Sequence, residues 1–393
     1  MNMLHTTSPP NQQPLHVCLV TETYPPEVNG VAMTLQRFVT GLISKGHHVS
    51  LVRPRQQTYD RPGCCLDPTV TLVRGIPLPG YKGVHIGLAS SLRIRSIWEN
   101  NRPDVIYIAT EGPLGFAALK AAKRLSIPVT SGFHTNFHTY MKHYRIGMIK
   151  SLVLNVLRNF HNDTAATLVP SPDLHHQLID QGFKNVHVVS RGVDCDLFNP
   201  DRRDNNIRSA WGVSDDDLVT IHVGRLAAEK NIELFLTAFR KMKQVSSRLK
   251  AVIIGDGPIY KKLVKDNPDV IFCGMQRGRK LAAYYASADI FLFPSETETF
   301  GNVLLEAMAS ELAVVAYDYA AANIHVTHND NGLSVPLTQE SRFIEAAVSL
   351  VKEKALRSRL RSRARQHVLK HDWVNVIDKF ERILETSIKQ HVS

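Results

Sequence analysis

The chain has 393 residues, 44% of them hydrophobic and 21% charged, a composition that excludes disordered and fibrous classes and leaves room for two domains of ordinary size. Its charge is basic, with Lys+Arg 47 against Asp+Glu 36, a formal +11. Residues 1–195 carry +8 of that excess and residues 196–393 only +3.

The opening MNMLHTTSPPNQQP has no basic stretch leading into an apolar one, so it does not read as a secretory signal. No segment reaches the roughly 18 uninterrupted apolar residues of a spanning helix. The cysteines at 18, 64, 65, 195 and 273 form no Cys-x-x-Cys pair and have no histidine at zinc-ligand spacing. That usage points to a reducing cytoplasm, with Cys18 and Cys273 as small core residues.

From residue 15, short apolar runs alternate with amphipathic stretches: LHVCLVT, VAMTLQRFVTGLIS, HHVSLVRP, DVIYIAT, PLGFAALKAAKRL and IPVTSG, with further strand-like pieces at Thr167–Ser171 and Val186–Ser190. Apolar runs of this length separated by helical segments predict a parallel sheet with crossover helices. The polar stretch RGVDCDLFNPDRRDNN then reads as a connector. A second series follows: LVTIHVG, NIELFLTAFRKM, LKAVIIG, DVIFCG, KLAAYYASA, DIFLFPS, GNVLLEAMAS and LAVVAYD. Two such series imply two doubly wound α/β domains, whose ligands bind in the loops beyond the carboxyl ends of the strands. The tail from Gln339 has a helical pattern, and its Arg357, Arg359, Arg361, Arg363 and Arg365 are expected on a solvated face.

Four post-strand loops carry chemistry. In TETYPPEVNGVAMT, Gly30 stands where a helix begins, and a helix start offers free N–H groups to an anion. SGFHTNFHTY places His134 after the strand IPVT, within reach of a sugar hydroxyl or a reacting centre; His138, His143 and His161 have no comparable placement. HVGRLAAEKN sets Arg225 and Lys230 five residues apart, a fork and a point charge suited to a diphosphate that gains charge as it leaves.

SETETFGNVLLEAMAS is the most informative loop. Glu298 and Glu306 lie eight apart on either side of a helix start where Phe300, Gly301 and Asn302 offer backbone N–H groups. Carboxylates bind hydroxyls well and phosphates badly, so the pair reads as sugar and ribose recognition beside an amide-lined phosphate site. IGDGP matches only the start of a dinucleotide fingerprint, since Tyr260 stands where the third glycine belongs. No second carboxylate is recognisable in the loops of the first half.

The run Gly112–Asn162 contains no Asp or Glu, yet holds Lys120, Lys123, Arg124, Lys142, Arg145, Lys150 and Arg158. Its YMKHYRIGMIKSLVLNVLRNF interleaves cations with apolar residues, the composition of a peripheral grip on an anionic interface. Lys142, Arg145, Lys150 and Arg158 are therefore expected on the membrane and acceptor side. A nucleic-acid reading rests only on net charge, and no RNA-binding aromatic motif or zinc finger supports it.

With TETYPPEVNGVA, SGFHTNF, SRGVDCDLFNP, HVGRLAAEKN, IGDGP and ETFGNVLLEAMA in this order, the chain resembles the retaining GT-B glycosyltransferases of family 4 over nearly its whole length. It looks most like the branch that glycosylates diacylglycerol and related lipids or transfers mannose. The resemblance implies two Rossmann-like domains facing a central cleft: 1–195 for the acceptor, with a terminal helix over about 373–393 packing back on it, and 196–372 for the nucleotide sugar. It implies that Gly30 approaches the donor diphosphate, Arg225 and Lys230 neutralise it, and Glu298 binds sugar hydroxyls. Phe300, Gly301 and Asn302 would lend backbone contacts, Glu306 would bind the ribose, and His134 would lie at the reacting sugar. Many relatives carry two glycines in the first loop, where this chain has Asn29-Gly30.

The resemblance also implies catalysis without a bound metal or cofactor, with the nucleotide sugar as substrate. The expected enzyme is a peripheral protein on the inner membrane face, moving a hexose to a hydroxyl of a lipid such as diacylglycerol. UDP-glucose is the first expected donor and GDP-mannose the second. The alternatives are a soluble or polysaccharide acceptor, or a nucleotide-sugar epimerase sharing the same nucleotide pocket.

Overall fold

The structure, a computed structural model, describes residues 13–27, 29–56, 68–77, 85–134, 147–297 and 301–392, with the backbone alone at 147–150 and 392. The chain divides into two compact units. One runs to Ser190 and takes in Val376–Ser393; the other is Arg191–Asn375.

The first unit is built on β1 (His16–Val20), β2 (His48–Pro54), β3 (Thr69–Pro77), β4 (His85–Leu88), β5 (Val105–Ile108), β6 (Val129–Gly132), β7 (Ala166–Val169) and β8 (Val186–Val188). They lie in the order β4-β3-β2-β1-β5-β6-β7-β8, parallel except for the antiparallel β3–β4 pair at one edge. β1, β5, β6 and β7 are buried almost throughout, as strands covered on both faces must be. β3 and β4 form a hairpin edge that the apolar pattern does not announce, because Val73 is the one buried residue of β3.

The Gly30–Ser44 helix covers this sheet with Ala32, Leu35, Phe38, Val39 and Leu42, the stripe of a 3.6-residue repeat. Against it lies the end of the last helix, Trp373–Val392. Phe380 stacks on Phe38 with centroids 4.3 Å apart, and Ile377 occupies the notch left by Gly41. Glu381, 5% exposed, accepts from His47 Nε2 at 2.7 Å and pairs with Lys45, which also reaches Asp378 at 2.6 Å. Removing one partner of a buried pair strands the others, at about 3 kcal/mol. Glu381→Ala is therefore expected to lower the unfolding free energy of the first unit by roughly that amount, read as a lower urea midpoint, and an unchanged midpoint would show that the pair contributes nothing.

The second unit carries β9 (Val219–Val223), β10 (Lys250–Ile254), β11 (Ile271–Phe272), β12 (Ile290–Phe293), β13 (Ala313–Tyr317) and β14 (Leu333–Val335), all parallel, in the order β11-β10-β9-β12-β13-β14. Successive residues feed opposite cores: Phe291, Phe293, Val314 and Ala316 on one face, Ile290, Leu292, Ala313 and Val315 on the other. That is the period-2 alternation of a sheet buried on both sides.

The boundary falls before Arg191, a few residues ahead of the expected 195, because the connector belongs to the second unit. Val193 bridges to Asp372, and the Cys195 amide donates to the Asp372 carboxylate at 2.9 Å.

The arginine run is a solvated face only in part: Arg359 and Arg363 are exposed, Arg361 and Arg365 half-buried and Arg357 buried. Arg357 donates to the Leu350 carbonyl at 2.5 Å, Arg361 to Glu311 at 2.7 Å, and Arg365 to Ala309 at 2.6 Å and Phe198 at 2.9 Å. Arg359 and Arg363 hold Asn329 and Asp330. Guanidinium forks on orphan carbonyls tie the Lys354–Leu369 helix to its neighbours. Among the described residues no helix is long and apolar enough to cross a membrane.

Candidate active site

In the second sheet β9 is flanked by β10 and β12, so the strand order reverses there and the loops after β9 and β12 meet. Hydrogen bonds join them. Lys230 Nζ donates to the Thr297 carbonyl at 3.2 Å and the Ser295 hydroxyl at 3.4 Å; Asn231 donates to Glu296 Oε1 at 3.2 Å, and the Glu296 amide to the Glu229 carbonyl at 3.3 Å. The ammonium is thus held half-buried over the β12 loop. Arg225 is exposed, with Glu229 at 3.9 Å as a loose partner, and its fork is available to a ligand.

The glycines of IGDGP serve the neighbouring loop. A Cβ on Gly255, at φ +144°, would lie 1.8 Å from the Gly224 carbonyl oxygen, and one on Gly257 would lie 2.2 Å from that of Leu226. The Gly224 amide donates to Ile254 O at 3.0 Å and the Leu226 amide to Asp256 O at 3.0 Å. Backbone against backbone, the β10 loop fixes the loop that carries Arg225 and Lys230.

Glu298 and Phe300 lie outside the described residues. Gly301, at φ +58°, starts the Asn302–Ala309 helix, and its missing side chain admits Ala321, whose Cβ would stand 2.5 Å from an added one. Asn302 is exposed at the helix start, so its end amides face solvent or ligand. Glu306, one turn further on, is half-buried against Tyr285. Burial pushes its carboxyl up to about 7, and the hydrogen bond from the Tyr285 hydroxyl only partly offsets this.

The unfolded carboxyl titrates near 4.5 and the folded one near 7, so stability is full below 4.5 and falls as pH rises towards and through 7. Glu306→Gln is expected to melt with wild type near pH 4.5 and several degrees above it at pH 8, by scanning calorimetry. A gap that does not change with pH would mean the carboxylate is well solvated.

In the first sheet the order reverses between β1 and β5, and the loops after these strands meet as well. The Glu22 amide donates to Thr110 Oγ1 at 3.0 Å, and the Glu22 carboxylate accepts the Leu114 amide at 3.2 Å at the start of the Pro113–Leu125 helix. Burial raises this carboxyl to about 7. Glu27 accepts from Thr23, from Gln56 at 2.7 Å and from Asn29 at 3.2 Å. Glu111 meets His161 Nε2 at 3.2 Å, and that ring's Nδ1 meets Ser131 at 2.9 Å. The expectation that no second carboxylate is recognisable in these loops is therefore corrected: Glu22, Glu27 and Glu111 stand there, each engaged with neighbouring groups of the unit.

Asn29 explains the missing second glycine. With extended backbone it caps the Gly30–Ser44 helix, its Oδ1 accepting the Ala32 amide at 2.9 Å while its Nδ2 donates to Thr23 at 2.7 Å. His134 is half-buried, and its Nε2 lies 2.8 Å from the hydroxyl of buried Tyr107. A Cβ on Gly132 would intrude on both groups, at 2.3 Å and 2.6 Å. Tyr107 packs on Phe38 and Phe380, so the partner that orients His134 is itself fixed by the core.

Lys142 and Arg145 lie outside the described residues, and Lys150 is placed in the Gly147–Asn162 helix by its backbone alone. Arg158 is spent within the fold, on the Gln181 carbonyl at 3.1 Å and Asn155 Oδ1 at 2.7 Å. It is a weaker candidate for a membrane contact than its charge suggests.

Comparison with known proteins accords with this architecture. Residues 28–197 match the model of Glycosyltransferase Family 4 and residues 203–367 that of Glycosyl transferases group 1. A GDP-mannose-dependent alpha-mannosyltransferase of Mycobacterium tuberculosis is 31% identical over 93% of this chain and 95% of its own length. The chain belongs to glycosyltransferase family 4. Another relative, an alpha-monoglucosyldiacylglycerol synthase of Streptococcus pneumoniae, is 28% identical over 77% of this chain and 71% of its own. Sucrose-phosphate synthase from Thermosynechococcus elongatus superposes with a TM-score of 0.72 at 17% identity, covering 96% of this chain and all of that one. The family 4 chain thus has the GT-B fold and is a glycosyltransferase.

Sequence reasoning about this family 4 chain named the charged groups and missed what holds them. Tyr285, Ser295, Tyr107 and Asn29 come from other elements or act through hydrogen bonds that no spacing shows. Glu22 and Glu111 had one available signal, their place directly after β1 and β5.

Proposed function

We propose that this glycosyltransferase moves a hexose from a nucleotide-sugar donor to a hydroxyl of a membrane lipid, with retention of configuration and without a metal in the transfer step. The observation that carries the reading is that the loops after β9 and β12 meet through Lys230, with Arg225 on the first and the helix start at Gly301–Asn302, then Glu306, following the second. Lys230 and Arg225 neutralise the diphosphate, and the helix-start amides receive its growing charge. Glu306, ionised, accepts two ribose hydroxyls, so affinity for the bare nucleoside, which has no phosphate of its own to titrate, is expected to rise from pH 6 to pH 8 in wild type and to be flat in Glu306→Gln.

Glu298 and Phe300, with Gly30 and His134, complete the proposed donor contacts. The sugar C1–O bond to the diphosphate breaks, the acceptor oxygen attacks from the same face, and its proton passes to the departing phosphate oxygen. The engagement of Glu22, Glu27 and Glu111 in holding their own loops supports this course over a glycosyl-enzyme intermediate in the first unit.

The lipid acceptor is supported by the name of the streptococcal relative and by the helix Gly147–Asn162, where Leu152 and Val156, one turn apart, are 65% and 45% exposed within the acid-free run. Apolar side chains on an acid-free helix suit an anionic bilayer surface. The mycobacterial relative's name moves GDP-mannose ahead of UDP-glucose as donor.

The test offers both donors to the enzyme with diacylglycerol vesicles, neutral or anionic, and weighs the lipids by mass spectrometry. The expected product is a lipid one hexose heavier, formed from one donor, with binding to anionic vesicles that weakens as salt rises. Free sugar or an isomerised donor, with no glycolipid, would turn the reading to an epimerase or a soluble acceptor.

A further inference from the structure

Three histidines that the transfer reaction does not use pack together in the second unit. His325 ends the short Ala321–His325 helix, His367 lies in the Lys354–Leu369 helix, and His371 follows one turn later. One ligand nitrogen from each lies within 4.8 Å of the others. The ring centroids stand 4.8 Å apart for His325–His371, 5.0 Å for His367–His371 and 5.9 Å for His325–His367. His325 is 6% exposed, and its Nδ1 has no hydrogen-bond partner; neither has His367 Nε2, although both atoms are shut off from solvent.

Buried ring nitrogens without partners are rare because each forfeits a hydrogen bond to water. Two of them within a cluster of three imidazoles offer a donor set for a cation that itself needs nitrogen ligands. We propose that His325, His367 and His371 form a binding site for one borderline divalent transition-metal ion, Zn²⁺ being the reference case, with a fourth position for water.

The set contains no carboxylate. Asp330 is taken by Arg363, and Asp372 by the Cys195 and Val374 amides. An all-imidazole site selects zinc, cobalt, nickel or copper over magnesium and calcium. Metal–nitrogen bonds of about 2.0–2.1 Å bring tetrahedral ligand atoms to about 3.3 Å apart, so the three rings close slightly on binding.

The placement gives such an ion a structural consequence. The His371 carbonyl accepts the Val193 amide at 3.0 Å, joining the segments by which the chain enters and leaves the second unit. At the other end of the His325 helix, Ala321 fills the notch over Gly301 at the proposed donor site. The ion would clamp the crossover and steady the support of that helix start without entering the transfer step.

The test uses the full untagged chain, stripped with chelator and titrated with Co²⁺, whose ligand-field bands report nitrogen coordination, and then with Zn²⁺ in competition. The expected result is one Co²⁺ per chain, displaced by Zn²⁺, with a melting temperature that rises with Zn²⁺. His367→Gln and His371→Gln, both at partly exposed positions, should each weaken binding at least tenfold while melting like wild type without metal. Absence of a one-to-one site in wild type, or undiminished binding by both variants, would overturn the proposal.

Discussion

Lys230→Ala is expected to lower kcat by about 10²- to 10³-fold, the effect of removing one preorganised group that stabilises developing charge, while melting like wild type. The ammonium is held by the Thr297 carbonyl and the Ser295 hydroxyl, two neutral acceptors that solvent can satisfy in its absence. Its charge stands on the loop where the proposed diphosphate would meet it. Since the diphosphate's charge grows as the sugar departs, kcat should fall more than KM rises. Arg225 is longer and looser, so Arg225→Ala should cost less than Lys230→Ala. Glu298→Ala is expected to match the lysine variant in kcat. Near-normal transfer by either Lys230→Ala or Glu298→Ala would remove that residue from the mechanism.

Gly255→Ala should do damage of another kind, a loss of about 3 kcal/mol or more in the stability of the second unit. At φ +144° an alanine is strained wherever it sits, and here its Cβ would stand 1.8 Å from the Gly224 carbonyl oxygen. Backbone must move, and what moves is the loop carrying Arg225 and Lys230. Chemical denaturation followed by tryptophan fluorescence measures the loss through Trp211, buried in this unit. A variant as stable as wild type would show that the β10 loop is free to yield, and the fixed geometry claimed for the cations would go with it.

The fold was legible wherever burial on both faces forced a continuous apolar run, as in VIYI, IFLF and AVVAY. It was illegible at β3 and β4, where an edge buries one side chain and leaves no period to read. The arginines of the Lys354–Leu369 helix misled for a related reason. Their spacing says nothing of the carbonyls left orphaned by distant helix ends, and those carbonyls are what the guanidinium groups satisfy.

Within the site, Arg225, Lys230 and Glu306 were readable because post-strand position and residue type suffice to mark them. Their supports were not, because Ser295, Tyr285 and the Gly255 approach are set by tertiary contact. The three histidines show the limit clearly. His367 and His371 stand four apart in plain view, but the partner that completes them lies on another helix, and a search anchored on cysteine passes over the pair.

Calorimetric titration of the full chain with nucleoside, nucleoside monophosphate and nucleoside diphosphate, for wild type and Lys230→Ala, tests the central claim most directly. The β9/β12 loops, if they hold the donor through its diphosphate, will give one-to-one binding by wild type that tightens steeply with the second phosphate, and a variant that has lost most of that increment. Equal affinity for the three ligands, or an undiminished diphosphate increment in Lys230→Ala, would contradict it.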